Sequence, residues 1–454
     1  MQYNKKQKVH LIAVGGSVMH NLALALNNLG WEVSGSDDNI YEPSASRLKE
    51  ANIYPDQLGW HPERIVDDLD AVILGMHAKK DNPELLEAQK KNIRIFSFPE
   101  FIHELSQNKH RIVIAGSHGK TTVTSIIMHV LKYFGKSFDY LVGAQNKGFD
   151  VMVSLSDAPL IILEGDEYLS SALDPSPKFL HYHHHIGVIT GIAWDHYNVY
   201  PSYDEYVEQF VKFSESTPKA GTIIFNRSDD TVRDICQDQN IEDVAYTPYE
   251  AHPHKVIDGK TVLITNFGDI PLEIFGKHNM ENLAAAKEVV KKVGITDLEF
   301  YEAMQHFTGA SNRLELIKET DEYSVYLDFA HSPSKVRASI SALKNQFPDK
   351  NLVTVLELHS FSSLNEEFLP QYKDTLLESD EPLIFINQEV AKEKNNFTMT
   401  DEDIVKAFND NRIKVHYVKE TLEEKLLNDN YKNTNILLMS SGNFADLPID
   451  KIGE

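Results

Sequence analysis

Two hydropathy patterns alternate along this chain. Short continuous apolar runs end in glycine or acidic residues, and longer stretches repeat apolar residues every three or four positions. The first run, residues 9–14, stops at Gly15-Gly16. Leu22, Leu24, Ala25 and Leu29 then recur at helical spacing until Gly30. Runs at 31–34 and 71–74 complete a strand–helix–strand pattern with polar loops at the strand ends. A second block opens with the run 111–114, a glycine loop, and a helix carrying Ile126, Ile127, Val130, Leu131 and Phe134, with Gly135 as its stop. Runs at 160–163 and 186–192 read as further buried strands. A third block alternates again: strand 324–327, a helix capped by Ser332-Pro333, then strands at 352–356, 382–386, 414–418 and 436–439. The expected fold is α/β in three domains. Residues 1–107 form a Rossmann-like domain, 108–309 a central P-loop domain and 310–454 a second Rossmann-like domain.

A length of 454 residues, 42% hydrophobic and 25% charged, suits that division. The net charge of −24 disfavours nucleic acid and anionic membrane as partners. It does not disfavour a nucleotide, because a phosphate site is built locally from backbone N–H groups, a lysine and a metal. Cys236 is the single cysteine, so no intramolecular disulfide forms, which fits a reducing cytoplasm. The apolar run near the N-terminus is too short for a signal peptide, and no stretch reaches transmembrane length. Oligomeric state is not legible.

The sharpest chemical signal is Gly116-Ser117-His118-Gly119-Lys120-Thr121-Thr122, between a strand and a helix. Glycines there let backbone N–H groups face phosphate oxygens, Lys120 reaches the β- and γ-phosphates, and Thr121 offers a hydroxyl to Mg²⁺. Where the general phosphate-loop pattern places its first glycine stands Ile114, so the spacing here is shorter. Two later strands end in Glu164-Gly165-Asp166-Glu167 and in Asp195-His196, carboxylates and an imidazole suited to completing metal sites. His181, His183, His184 and His185 read as the polar start of a strand, alternating in direction, and not as a zinc site. A dinucleotide fingerprint around Gly15 fails, since its outer glycine positions hold Ala13 and Val18.

Taken in order, these motifs resemble the Mur ligase family over almost the whole chain. The loop 116–122 is similar to that family's short glycine loop, Glu164 to its metal-binding glutamate and His196 to its metal-binding histidine. Gly276-Lys277-His278-Asn279-Met280-Glu281-Asn282 resembles the segment whose asparagines, here Asn279 and Asn282, lie on the adenine side. Arg313 matches the arginine that reaches the ATP phosphates. Asp328-Phe329-Ala330-His331-Ser332-Pro333 resembles the segment whose aspartate, here Asp328, sits on the nucleotide and whose His331 serves substrate; Phe329 replaces the usual tyrosine. Gly15, Gly16, Ser17, Ser36 and Asp37 resemble the UDP-binding domain of members that take UDP-N-acetylmuramic acid directly.

The resemblance implies an ATP- and Mg²⁺-dependent ligase. The carboxylate of UDP-N-acetylmuramic acid attacks the γ-phosphorus, and an amine then displaces phosphate from the acyl phosphate. Lys120, Glu164, His196 and Arg313 would be catalytic; Thr121, Glu164 and His196 would hold the metal. Of the two member types sharing that acceptor, one adds L-alanine and the other a recycled tripeptide, L-alanyl-γ-D-glutamyl-meso-diaminopimelate. Residues 164–168, 178–182, 355–358 and 438–442 look more like the tripeptide type. Lys212, in the region where some members carry a carbamylated lysine, reads as a surface residue. Amine-binding candidates are His359, Ser360, Ser363, Ser441 and Asn443 at strand ends of the third domain. The other class weighed, a nucleotide-binding regulator without activity, sits poorly with a complete set of phosphate and metal residues.

Overall fold

Runs that are apolar at every position need cover on both faces, and parallel sheets between helices supply it. Residues 6–144, 148–238, 241–395 and 399–453 are described by the structure, a computed structural model. Contacts divide the chain into two units: 1–192 with 207–249 and 288–293, and 193–206 with 250–287 and 294–454.

The first unit holds two sheets. Strands β1 (Lys8–Ile12), β2 (Glu32–Ser36), β3 (Ala71–Leu74) and β4 (Ile95–Ser97) form a parallel sheet in the order β2-β1-β3-β4. All four residues of β3 are buried, as its unbroken Ala-Val-Ile-Leu run requires. The second sheet comprises β5 (His110–Ala115), β6 (Asp139–Leu141), β7 (Val153–Ser154), β8 (Leu160–Glu164), β9 (Ile186–Ile189), β10 (Thr222–Asn226) and β11 (Ala245–Tyr249). Its order is β11-β10-β9-β5-β8-β6-β7, with only β7 antiparallel. Central β5 lies between β8 and β9, pairing Ile114 with Glu164 and Ala115 with Ile189. That register delivers the loop after β5 and the end of β8 to the same edge. Ligands of open α/β sheets gather at this carboxyl edge.

The second unit opens its sheet structure with an antiparallel meander, β12 (His254–Ile257), β13 (Lys260–Thr265) and β14 (Gly268–Leu272), which the apolar runs did not foretell. Its larger sheet contains β15 (Glu315–Glu319), β16 (Tyr323–Asp328), β17 (Asn351–Glu357), β18 (Glu381–Phe385), β19 (Lys414–His416) and β20 (Thr434–Met439). The order is β15-β16-β20-β17-β18-β19, parallel except for β15. Successive residues of β20 feed opposite faces: Leu437 and Met439 pack with Val336, Ile340 and Leu343 of the helix Pro333–Gln346, whereas Ile436 and Leu438 pack with Val353, Val355 and Leu383. Each such side chain contributes about 1.5–3 kcal/mol by burial.

Two sequence expectations change. The strand read at 186–192 ends at Ile189, leaving residues 190–192 to wrap the glycine loop. The histidine segment is not a strand start. Pro177 caps a short helix, Lys178–His181, and His183 is left-handed (φ +46°), so the alternation argument does not apply there. His184 is fully buried and bonds Thr217 Oγ1 at 2.8 Å, a structural role. Lys212 pairs with Glu208 at 3.6 Å and is about half exposed, as expected of a surface residue. Among the described residues no helix is long and apolar enough to cross a membrane.

Candidate active site

The loop after β5 depends on glycine at two points. Gly116 has φ +133°, and a Cβ there would lie 2.1 Å from Thr190 Oγ1. Gly119 caps the helix Lys120–Tyr133 with φ +81°. Ser117 N donates to Gly191 O at 2.9 Å, and the Thr190 hydroxyl donates to His118 O. Gly191 in turn has no room for a side chain, because the His118 ring lies against it. The loop backbone is therefore held from the β9 side, leaving the helix N-terminus to present its N–H groups; Thr121 and Thr122 are buried in its first turn.

Glu164 enters from the other side. Its Oε1 accepts from Thr121 Oγ1 at 2.8 Å and its Oε2 from Gly143 N at 2.7 Å. A Cβ at Gly143 would sit 2.7 Å from that carboxylate, so the close approach needs glycine. A hydroxyl and a carboxylate converging in this way are hard oxygen donors, the set that Mg²⁺ selects.

Lys120 is folded back on the loop: its Nζ donates to Gly116 O at 2.5 Å and to Glu167 Oε2 at 2.6 Å. Burial opposes the ammonium charge, but the Glu167, Asp166 and Glu164 carboxylates outweigh it and raise the lysine pKa. Glu167 is 1% exposed, so Lys120 is the counter-charge of a buried carboxylate. Sequence reasoning noted Glu167 as part of an acidic strand end and missed this pairing. Asp166 bonds Lys178 at 2.5 Å.

The remaining candidates of the first unit surround the end of β1. Gly15 N donates to Asp37 Oδ2 at 2.8 Å, and a side chain at Gly15 would collide with that carboxylate. Burial raises the Asp37 pKa. Ser36 Oγ accepts from Arg64 at 2.8 Å, a partner the sequence did not signal. Gly16 caps the helix Ser17–Asn28, and Ser17 Oγ lies 3.6 Å from Met152 Sδ.

His196, Asn279, Asn282, Arg313, Asp328 and His331 belong to the second unit. His196 is left-handed (φ +54°), with its N–H donating to Asp195 Oδ1 at 2.8 Å. Asp195 also bonds Lys335 at 3.1 Å and faces His331 at 3.9 Å. Burial would raise the Asp195 pKa; Lys335, His196 and His331 together hold it well below the usual carboxylate range. Lys335, distant in sequence, was not foreseen. His331 donates Nδ1–H to Phe329 O at 2.8 Å and is pushed down to about 3 by burial and by Lys335. Asp328 is committed internally: it accepts from Ala330 N (2.7 Å), Leu314 N (3.0 Å) and Ser339 Oγ (3.2 Å). Burial raises its pKa against the opposing Arg313 charge. Arg313 stacks on Phe329, 4.7 Å from the ring centroid, and donates to Asn312 O at 2.9 Å. Asn279 and Asn282 are buried in the helix Lys277–Lys292; Asn279 Nδ2 donates to Phe275 O at 2.8 Å and Asn282 Nδ2 lies 3.4 Å from Asn279 Oδ1.

A short phosphate loop at the carboxyl edge of a parallel sheet, with lysine, hydroxyl and carboxylate beside it, defines an α/β enzyme of the kind that uses a nucleoside triphosphate. Three family models match the chain in order: the Mur ligase family catalytic domain at 8–110, the Mur ligase middle domain at 114–290 and the Mur ligase glutamate ligase domain at 312–442. A UDP-N-acetylmuramate–L-alanine ligase of Caldicellulosiruptor bescii is 31% identical over 409 residues, 87% of each chain. Two solved structures share the fold. The murein peptide ligase of Psychrobacter arcticus matches with TM-score 0.68 at 22% identity, covering 99% of this chain and 100% of that one. The UDP-N-acetylmuramate–alanine ligase of Thermotoga maritima matches with TM-score 0.70 at 20% identity, covering 97% and 96%. The chain belongs to the Mur ligase family and has its three-domain α/β fold. It is an ATP-dependent ligase that forms a C–N bond between an acid and an amino acid or peptide.

Proposed function

We propose that this ligase joins the carboxylate of UDP-N-acetylmuramic acid to the amine of L-alanine, in the cytoplasm. The observation that carries the reading is the convergence of Lys120, Thr121 and Glu164 on one loop edge, in a chain whose curated relatives bear the L-alanine ligase name. In this reading residues 1–107 take the UDP-sugar, 108–309 bind ATP and 310–454 receive the amine. Thr121 and Glu164, with His196, would hold Mg²⁺, which supplies charge neutralisation on the phosphates. Lys120 exchanges its Glu167 partner for oxygens of the transferred phosphoryl group, and the loop N–H groups hold the phosphates in place. The substrate carboxylate is the nucleophile, so no protein nucleophile is required. Asn279 and Asn282 would lie on the adenine side, and Arg313 and Asp328 would serve the nucleotide. Gly15, Gly16, Ser17, Ser36, Asp37 and His331 would serve the sugar substrate.

The tripeptide reading rests on the likeness of residues 164–168, 178–182, 355–358 and 438–442 to that member type. The sequence relatives favour L-alanine. ATP-dependent phosphate release with UDP-N-acetylmuramic acid and Mg²⁺ separates the two. Turnover with L-alanine and not with the tripeptide is expected. The reverse pattern would reassign the enzyme to recycling.

A further inference from the structure

The amine that enters a ligation of this kind arrives mostly as an ammonium ion at neutral pH, since an α-amino group titrates at about 8 in a peptide and higher in a free amino acid, whose own carboxylate favours the charged form. It must lose a proton before it can attack. The carboxyl edge of the six-stranded sheet holds a group suited to receive it. Strands β16, β20 and β17 end together there, with Asp328 and Leu356 both paired to Met439. Glu357 closes β17 with 1% of its side chain exposed; its Oε2 accepts from the Ser440 hydroxyl and, at 3.0 Å, from Phe444 N. Burial raises its pKa, but His359, Ser440 and Phe444 outweigh that and lower it, so Glu357 is a carboxylate. His359, two residues on, turns Nδ1 to within 3.6 Å of Glu357 Oε1 and keeps 22% of its side chain in solvent. Gly442 makes room for it: a Cβ there would lie 2.6 Å from His359 Nδ1.

Neighbouring candidates serve other ends. Ser360 and Ser363 bond each other at 3.0 Å, and Asn443 bonds Asp446 at 2.8 Å. Asp328 already accepts three internal hydrogen bonds, and His331, pushed down to about 3, is a poor proton acceptor at neutral pH.

We infer that His359, held by the buried Glu357 carboxylate, is the general base that deprotonates the incoming amine. The inference rests on the ligase reading above. The ammonium N–H proton passes to the His359 ring, with Glu357 as counter-charge. The freed nitrogen lone pair attacks the acyl carbon, the C–N bond forms, the C–O bond to phosphate breaks and phosphate leaves with that bonding pair. The nitrogen sheds its second proton to water.

The test uses the full chain with ATP, Mg²⁺ and UDP-N-acetylmuramic acid, and two nucleophiles. One is the amine that the native enzyme accepts; the other is hydroxylamine, which is unprotonated at neutral pH and traps an acyl phosphate as a hydroxamate without help from a base. For His359→Gln, kcat/KM for the amine should fall about a hundredfold or more at pH 7. The loss should shrink as pH rises and the amine sheds its own proton, while hydroxamate formation is retained. Gly442→Ala, which displaces the ring and leaves its chemistry intact, should show the same split, and so should Glu357→Gln. Amide formation unchanged in His359→Gln, or equal losses of amide and hydroxamate, would overturn the assignment. Hydroxamate formation by the native enzyme supports the acyl phosphate independently, and its absence would overturn the ligase reading and this inference together.

Discussion

Replacing Lys120 by Met removes one charge from two places, the transferred phosphoryl group and the buried Glu167 carboxylate. The Lys120–Glu167 pair spans 2.6 Å, with side-chain exposures of 14% and 1%. Removing one partner of such a buried pair costs about 3–5 kcal/mol. For a unit of this size each kcal/mol lowers the melting temperature by about 2–4 °C, so the unit should melt roughly 6–20 °C earlier. Phosphate release should fall at least about a hundred- to thousandfold, the scale of losing one preorganised group at a developing charge. The two effects separate in the double variant Lys120→Met/Glu167→Gln. It should recover most of the stability, since position 167 then carries no buried negative charge, and none of the turnover. Thermal melts with and without ATP, beside the phosphate assay, read both. A Lys120→Met protein that melts with the native enzyme, or a double variant that stays destabilised, would refute the argument about Glu167. A Lys120→Met protein that keeps most of its turnover would refute the phosphate role.

Gly116→Ala should cost about 2–5 kcal/mol, because its Cβ would meet Thr190 Oγ1 at 2.1 Å in a backbone region unfavourable to alanine; Gly135→Ala, with φ +62° and open space, should cost only about 1–2 kcal/mol. Comparable urea midpoints for the two would contradict the packing described. Glu164→Gln should raise the Mg²⁺ concentration needed for half-maximal phosphate release; an unchanged Mg²⁺ titration would remove Glu164 from the metal. Acid should destabilise the first unit well above the carboxylate range. His184 is pushed down to about 3 by burial, and His103 and His185 to about 4 by burial and by Arg111 and other histidines. The unfolded chain binds protons there first, so their contribution is complete above about pH 6.5 and is lost progressively as pH falls toward 4. By pH 5.5 the three together should remove about 3 kcal/mol after allowance for partial exposure, and equal melting temperatures at pH 7 and 5.5 would contradict this.

Much of this architecture is legible from hydropathy alone, because central parallel strands are apolar at every position. Residues 71–74 and 436–439 needed no partner to be recognised, and the second strand begins two residues earlier, at Thr434. The meander was harder, since its strands are half exposed and polar residues interrupt them. A local signal was nonetheless present: Asp258-Gly259, both at positive φ, form the two-residue turn that joins β12 to β13. The phosphate loop could be read because its chemistry is contiguous. Partners brought together by sheet register or by distant packing could not: Lys335 lies 140 residues from Asp195, and Glu167 lies 47 from Lys120. The histidine segment misled because Pro177 starts a helical turn within a run that reads as extended.

In the proposed function the carboxylate of a UDP-sugar is activated as an acyl phosphate on this loop. The most direct test of that step is UDP-N-acetylmuramic acid labelled with ¹⁸O in the carboxylate, incubated with ATP, Mg²⁺ and the amine. Mass analysis of the released phosphate should find one labelled oxygen per turnover, carried over when the amine displaces phosphate. Unlabelled phosphate, or phosphate released at the same rate without the UDP-sugar, would exclude the acyl phosphate.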